Sequence, residues 1–241
     1  MTMKAMIFAA GLGTRFKPWT DQHPKALVPI NGKPLLQRNV EYLKRYGITQ
    51  LIVNVHHFAG QVLEAIEENK GWGSQIMISD ETTGLLETGG ALVKASWYLD
   101  SNPFAVINAD ILTDLSLDLM IRQHLQLKPL ATLAVTSRPS SRCFLFNEQN
   151  QLCGWKNKSK GEERISRKDQ ETLVEKSFSG VHLIDPRIFD LILQRGKFSI
   201  VETYLELSAA EPIHSFDHSG SLFIDVGKPE AIAEAEGLFK Y

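Results

Sequence analysis

The run from Lys4 to Ala10 (KAMIFAA) is apolar almost without interruption and ends in a glycine-rich turn, Gly11-Leu12-Gly13-Thr14-Arg15. A short apolar run of this kind has no solvent face, so it reads as a strand buried on both sides of a parallel sheet. The turn then lies at the carboxyl end of that strand, where open α/β sheets bind ligands. The same rhythm continues downstream. Pro34 opens a segment with Leu36, Val40 and Leu43 at helical spacing and Gly47 at its close. That predicts a helix over 34–46, with proline at its first position and glycine just past its last. LIVNV (51–55) and QIMIS (75–79) read as strands, with Ala59, Val62, Leu63 and Ile66 marking a helix face between them. Gly89 to Tyr98 reads as helix and PFAVIN (103–108) as another buried strand. This alternation predicts an α/β fold: a doubly wound, Rossmann-like three-layer domain with a mostly parallel mixed sheet, its ligand loops on one common edge.

After about residue 130 the pieces become shorter: TLAVTS, CFLFN, a charged stretch from Lys156 to Asp169, then FSGVHLI. The charged stretch reads as a solvated loop or a hairpin. FIDVG (223–227) returns to strand, and a last helix from Pro229 is expected to bury Ile232, Ala235 and Leu238 or Phe239. No internal repeat or linker interrupts the chain, so one domain is expected over 1–241, with no hexapeptide repeat after it.

Charge and cysteine content narrow the class. Lys and Arg number 26 and Asp and Glu 28, a formal net charge of −2, which implies no sequence-blind grip on nucleic acid. Cys143 and Cys153 lack CxxC spacing, which suits a reducing, cytoplasmic compartment. No apolar run reaches the roughly 18 to 20 residues that span a bilayer, and Gly11 and Arg15 break the apolar opening too early for a signal peptide. No membrane partner is expected, and self-association is left open.

The Gly11–Arg15 loop offers successive backbone N–H groups that can converge on an anion, two residues without a Cβ, and a guanidinium fork on Arg15. The alternative for such a loop is a tight turn with a solvated arginine. Two familiar phosphate loops fail. Phe16 stands where a dinucleotide fingerprint needs its third glycine or alanine, and Lys33 near the expected acid; no Gly-Lys pair is followed by Ser or Thr. The longer text from Phe8 to Pro34 is more specific. It closely resembles the signature of the sugar-1-phosphate nucleotidyltransferases, G-x-G-T-R-x-x-P-x-T, then P-K, then P-x-x-G-x-P, carried here by Gly11, Gly13, Thr14, Arg15, Pro18, Thr20, Pro24, Lys25, Pro29, Gly32 and Pro34.

That resemblance implies that Ala10, Gly11, Gly13 and Thr14 wrap a nucleotide, that Arg15 grips its β- and γ-phosphates, and that Lys25 binds the reacting phosphates. Asp110 and Asp225 each follow an apolar strand, a placement that supplies the two carboxylates Mg²⁺ takes beside phosphate and water; alone, each is more often a cap or turn residue. The resemblance makes both of them metal ligands, through Asn108-Ala109-Asp110 for the usual N-G-D and FIDVGKP for W-x-D-x-G-T-P. Glu87-Thr88-Gly89-Gly90 opens a helix at a place able to meet a nucleobase, the alternative being a plain helix start with Thr88 as N-cap. This ETGG form is similar to the subgroup of N-acetylmuramate-1-phosphate uridylyltransferases and mannose-1-phosphate guanylyltransferases. In that subgroup the motif like Phe178-Ser179-Gly180-Val181-His182 has its glycine, Gly180 here, bordering the sugar, a KFSI-type segment stands at Lys197 to Ile200, and Asn108 is a second implied sugar-binding residue.

The implied division is a nucleotide-binding half (1–128) and a sugar-binding half (129–241). The implied activity is transfer of a nucleoside monophosphate from an NTP, UTP or GTP favoured, to a sugar 1-phosphate. Two rivals are a CTP:phosphocholine cytidylyltransferase and a non-catalytic nucleotide-sugar-binding regulator. Glu175-Lys176 stands too close to Gly180 for the sugar-binding E-K of some relatives. His56-His57 has no HxH, HxxxH or cysteine partner for a metal, and the remaining histidines read as ordinary polar or half-buried residues.

Overall fold

In a computed structural model, which describes residues 3–168 and 172–240, successive side chains of the first strand enter two different cores. Ala5 and Ile7 pack on one side and Met6 on the other, all three fully buried. Leu51 and Val53 alternate with Ile52 in the same way, and Ala105 and Ile107 with Phe104 and Val106. A period of two with both faces apolar is what a central strand between two helix layers requires.

The strands are β1 (Lys4–Phe8), β2 (Pro29–Ile30), β3 (Lys33–Pro34), β4 (Gln50–Val55), β5 (Gln75–Asp80), β6 (Phe104–Asn108), β7 (Ile111–Thr113), β8 (Ala131–Thr136), β9 (Arg142–Phe146), β10 (Leu152–Asn157), β11 (Glu162–Ile165), β12 (Val174–Ile184), β13 (Ile213–Asp217) and β14 (Phe223–Asp225). The helices are α1 (Leu35–Arg45), α2 (Ala59–Glu68), α3 (Glu87–Lys94), α4 (Ser96–Leu99), α5 (Leu117–Leu127), α6 (Ile188–Leu191), α7 (Ile200–Leu207) and α8 (Ala231–Leu238).

The main sheet runs β5-β4-β1-β6-β12-β8-β13. Neighbours pair in parallel except β12, which is antiparallel to both β6 and β8. Helices α1, α2 and α5 cover one face and α3, α4, α6 and α7 the other, giving the doubly wound, mostly parallel mixed sheet the alternation predicts. The long strand β12 joins the halves: its second part pairs with β6 and its first part with β9, from which β10 and β11 continue as an antiparallel hairpin. Most of the charged stretch is that hairpin; Asp169 lies outside the described residues. No helix among the described residues is long and apolar enough to cross a membrane.

Several boundaries differ from the sequence reading. Pro34 precedes α1 with φ −55° and ψ 146°, because it is still paired in β3. The far end behaves as expected: Gly47 takes φ +75°, its N–H donates to Lys44, and the N–H of Ile48 donates to Leu43, the Schellman arrangement. The helix read over 89–98 begins earlier, at Glu87, and is split at Ala95 into α3 and α4. In α8, Ala235 is buried and Ile232 and Phe239 pack against a small third core, while Leu238, at the last turn of the helix, is exposed.

Candidate active site

A cavity of about 380 Å³ opens at the carboxyl edge of β1, β4 and β6. Ala10, Gly11, Lys25, Glu87, Thr88, Asn108 and Asp110 all line it, together with Asn54 and Ser199. Local chemistry shapes the glycine loop. Gly13 has φ +60°, and a Cβ there would stand 2.8 Å from Thr20 and 3.0 Å from Lys25. Its carbonyl accepts the Thr20 hydroxyl at 2.9 Å and the Phe16 N–H at 2.7 Å, which curls the loop back toward Lys25. Thr14 and Arg15 open the following 3₁₀ turn and are exposed.

Lys25 forms an ion pair and hydrogen bond with Asp110, its Nζ lying 5.5 Å from the centre of the Phe16 ring. Asp225 is brought beside Asp110 by the pairing of β14 with β7, in which Asp225 faces Ile111 and the Val226 N–H donates to the Asp110 carbonyl at 2.8 Å. Although Asp225 keeps an exposed edge, crowding by protein raises its carboxyl above the usual range. The Asp110 charge adds to that rise, and Lys25, Arg15 and Arg138 partly offset it. A Cβ at Gly227 would lie 2.9 Å from Asp225 and 3.0 Å from Arg15, so this glycine leaves room for guanidinium and carboxylate side by side.

The donor set fits a divalent cation. Asp110 and Asp225, at adjoining strand ends, are two carboxylate oxygen donors of the kind a hard cation takes together with phosphate and water. On the sugar-side prediction, a Cβ at Gly180 (φ +71°) would stand 2.7 Å from the amide nitrogen of Asn108, so those two residues are brought together.

The ETGG segment is placed differently from its neighbours. Glu87 and Thr88 line the cavity, whereas Gly89 is buried behind it: its N–H donates to the Phe198 carbonyl at 2.9 Å, and a Cβ there would overlap the Phe198 ring at 2.4 Å. Thr88 is not the cap of its own helix; its hydroxyl accepts the N–H of Ile200 at 3.0 Å, at the start of α7. The two glycines thus let α3 dock closely against the KFSI segment.

Sequence reasoning missed a buried polar chain. The Ala9 N–H donates to Asn54, Asn54 donates to Glu81, and Glu81 accepts the N–H of Leu86, at 2.8, 2.8 and 3.0 Å. It ties the glycine loop to the start of α3, and its only sequence signal is an Asn inside an otherwise apolar strand. Glu175 and Lys176 are spent elsewhere, Glu175 on Lys158 and Lys156, Lys176 on Asp217. His56 is bonded to the Glu81 carbonyl at 2.6 Å.

Fold and site together define a doubly wound α/β protein with a glycine-rich loop, a lysine and two neighbouring carboxylates at the carboxyl edge of its sheet. The chain belongs to the nucleotidyl transferase family, whose model matches residues 4–239. It is 41% identical over 113 residues to N-acetylmuramate alpha-1-phosphate uridylyltransferase of Neisseria meningitidis, a match covering 47% of this chain and 49% of that protein. It is 29% identical to the protein of the same description from Caulobacter vibrioides, over 96% of this chain and 95% of that one. Mannose-1-phosphate guanyltransferase of Yarrowia lipolytica is 29% identical over 98% of this chain and 64% of its own length. The chain thus spans about half to two thirds of the first of these relatives and of the Yarrowia protein. The solved structure of HddC from Yersinia pseudotuberculosis complexed with GMP-PN shares the fold, with a TM-score of 0.77 and 23% identity over 99% of this chain and 100% of that one.

Proposed function

We propose that this protein transfers a nucleoside monophosphate from an NTP to a sugar 1-phosphate, giving an NDP-sugar and pyrophosphate. The observation that carries this reading is that Gly11, Lys25, Asn108 and Asp110 line one cavity, with Asp225 on the strand paired beside Asp110 and Gly180 packed against Asn108. A pure binder has no need of a lysine and two carboxylates gathered at one phosphate position.

In this reading residues 1–241 act as one domain, 1–128 holding the nucleotide and 129–241 the sugar. The backbone of Ala10, Gly11, Gly13 and Thr14 cradles the nucleotide phosphates, and Glu87 and Thr88 border the base, with Gly89 supporting them from behind. Arg15 holds the leaving pyrophosphate. An oxygen of the sugar phosphate attacks the α-phosphorus in line, the bond to the β-phosphate oxygen breaks, and the pyrophosphate leaves with its electron pair. No covalent enzyme intermediate is required. Lys25, a compact cation on a flexible stem, follows the charge as it moves between oxygens. Asp110 and Asp225 would hold Mg²⁺, which neutralises phosphate charge and orients the reacting groups when bound. A uridylyltransferase and a guanyltransferase among the relatives support UTP or GTP as donor, and in this reading the product is a cell-wall or glycan precursor. Two buried free cysteines suit a cytoplasmic location.

The test is pyrophosphate release with Mg²⁺ over a grid of UTP, GTP, CTP, dTTP and ATP against N-acetylmuramate, mannose, glucose, N-acetylglucosamine and heptose 1-phosphates, with phosphocholine included. One strong cell among the sugar phosphates supports the reading and fixes base and acceptor. A CTP-phosphocholine signal, or nucleotide-sugar binding over an empty grid, overturns it.

A further inference from the structure

Arg138 follows β8 and belongs to none of the motifs singled out in the sequence. Its guanidinium carbon lies 4.5 Å from the centre of the Phe223 ring, and one Nη2 N–H donates to the Phe178 carbonyl at 3.2 Å. These two partners locate it. Phe223 and Asp225 are two residues apart on β14 and so project from the same face of that strand. A guanidinium lying on Phe223 therefore lies alongside the Asp225 carboxylate. Phe178, on its other side, precedes Gly180 by two residues, at the irregularity in β12 that brings Gly180 against Asn108. Arg138 thus touches both the strand that carries Asp225 and the strand that carries Gly180.

The backbone around it is fixed. The Ser177 hydroxyl donates to the Arg138 carbonyl at 2.8 Å, and the Ser137 N–H donates to Ser219 at 2.9 Å. Lys176 holds Ser137 and Asp217 at 2.9 and 2.5 Å. Most of the guanidinium fork remains without a protein partner among the described residues. Although Arg138 keeps an exposed side, crowding by protein lowers its guanidinium below the usual range, and the Asp225 charge opposes that shift. Of the cations at the site, Lys25 stands on Asp110 and Arg15 beside Gly227, both toward the glycine loop. Of these three, Arg138 is the one bonded to β12, the strand that carries Gly180.

We propose that Arg138 binds the phosphate of the incoming sugar 1-phosphate and turns its attacking oxygen toward the nucleotide. The inference rests on the transferase reading. A planar fork can hold two phosphate oxygens at once and leave the third free to react. Stacking on Phe223 and the bond to Phe178 hold the fork in place before the substrate arrives, which limits the ordering cost of binding.

The experiment compares wild type with Arg138→Ala and Arg138→Lys, using the sugar 1-phosphate that the wild type turns over and measuring KM in both directions. Arg138→Ala is expected to raise KM for the sugar 1-phosphate at least about tenfold while KM for the NTP and for pyrophosphate stays within about twofold. Arg138→Lys is expected to recover part of the loss, since it restores charge without the fork. An unchanged KM for the sugar phosphate, or a rise confined to NTP and pyrophosphate, overturns the assignment. Thermal unfolding of each variant separates this from a folding defect, and Arg138→Gln replaces Arg138→Ala if the latter does not fold. A wild type that releases no pyrophosphate with any sugar phosphate overturns the transferase reading and this one together; an active wild type with indifferent variants overturns only the role of Arg138.

Discussion

Gly180 lies so close to Asn108 that a methyl group on its Cα would stand 2.7 Å from the asparagine amide nitrogen and 3.1 Å from Ile111. Its φ of +71° is in the left-handed region as well. Gly180→Ala therefore meets two obstacles, backbone strain and displacement of a side chain at the sugar side of the cavity. A loss of about 1 to 3 kcal/mol in urea unfolding is expected. KM for the sugar phosphate should rise more than KM for the NTP. Wild-type stability with wild-type KM values would show that the close approach does not constrain Asn108.

The contact between Lys25 and Asp110 joins residues that the chain separates by 85 positions. The carboxylate of Asp110 is about a quarter exposed, and what position 110 gives the fold is its carbonyl, which accepts the N–H of Val226. Asp110→Ala keeps that carbonyl. It is therefore expected to abolish pyrophosphate release while the unfolding midpoint stays within a few degrees of wild type. Lys25→Ala should retain the fold and lower kcat by about 10² to 10³, the scale on which one preorganised charge-stabilising group acts. Near-normal turnover in Asp110→Ala would remove this residue from the reacting centre.

The alternation of strand and helix was legible because apolar strands and amphipathic helices write their periods directly into the text: β4, β5 and β6 lie within one residue of their sequence bounds, and β1 ends two residues before the Ala10 read from the apolar run. Gly11, Lys25 and Asp110 were read from motifs far apart in the chain, and all three line one cavity. Contacts made by tertiary packing alone were not legible. Nothing near Gly89 in the chain says that its missing side chain makes room for Phe198, 109 positions later. Arg138 and Phe223 form no motif, because they meet only after β8 and β14 have been placed by different partners. Glu81 resembles any acid after a strand until the fold buries it completely.

That burial makes Glu81 the costliest polar side chain to remove from the edge of the site. Its carboxylate accepts from the Asn54 side chain and from the Leu86 N–H, and Asn54 in turn holds the Ala9 N–H. Glu81→Ala would leave the buried Asn54 amide and the Leu86 N–H without their partner. A loss of about 2 to 4 kcal/mol is expected. Since the same chain ties the glycine loop to the start of α3, KM for the NTP should rise at temperatures where the variant remains folded. Asn54→Ala should move both quantities in the same direction. Equal stability of Glu81→Ala and wild type would show that solvent or a rearranged neighbour replaces the network.

Acid sensitivity should begin well above the carboxylate range, because buried histidines are held neutral. Burial lowers His124 to about 4 and His182 to about 3, from an ordinary value of 6.5. His124 bonds Thr132 at 2.9 Å, while the Nε2 of His182 has no partner among the described residues, so a proton there would sit among apolar neighbours. The unfolded chain takes up these protons below about pH 6.5 and the folded chain does not, so folding stability is greatest above that pH and falls as the pH drops. The His124 contribution is exhausted near pH 4 and the His182 contribution near pH 3, where the folded state also protonates. At pH 5 each histidine should have removed about 2 kcal/mol relative to pH 7, with most carboxylates still ionised at that pH. Urea midpoints measured from pH 7 to 5 should therefore decline in wild type and decline less steeply in His124→Gln, whose amide keeps a hydrogen bond to Thr132 within reach. A flat wild-type profile over that range would mean that the two histidines ionise in the folded state as readily as in the unfolded one.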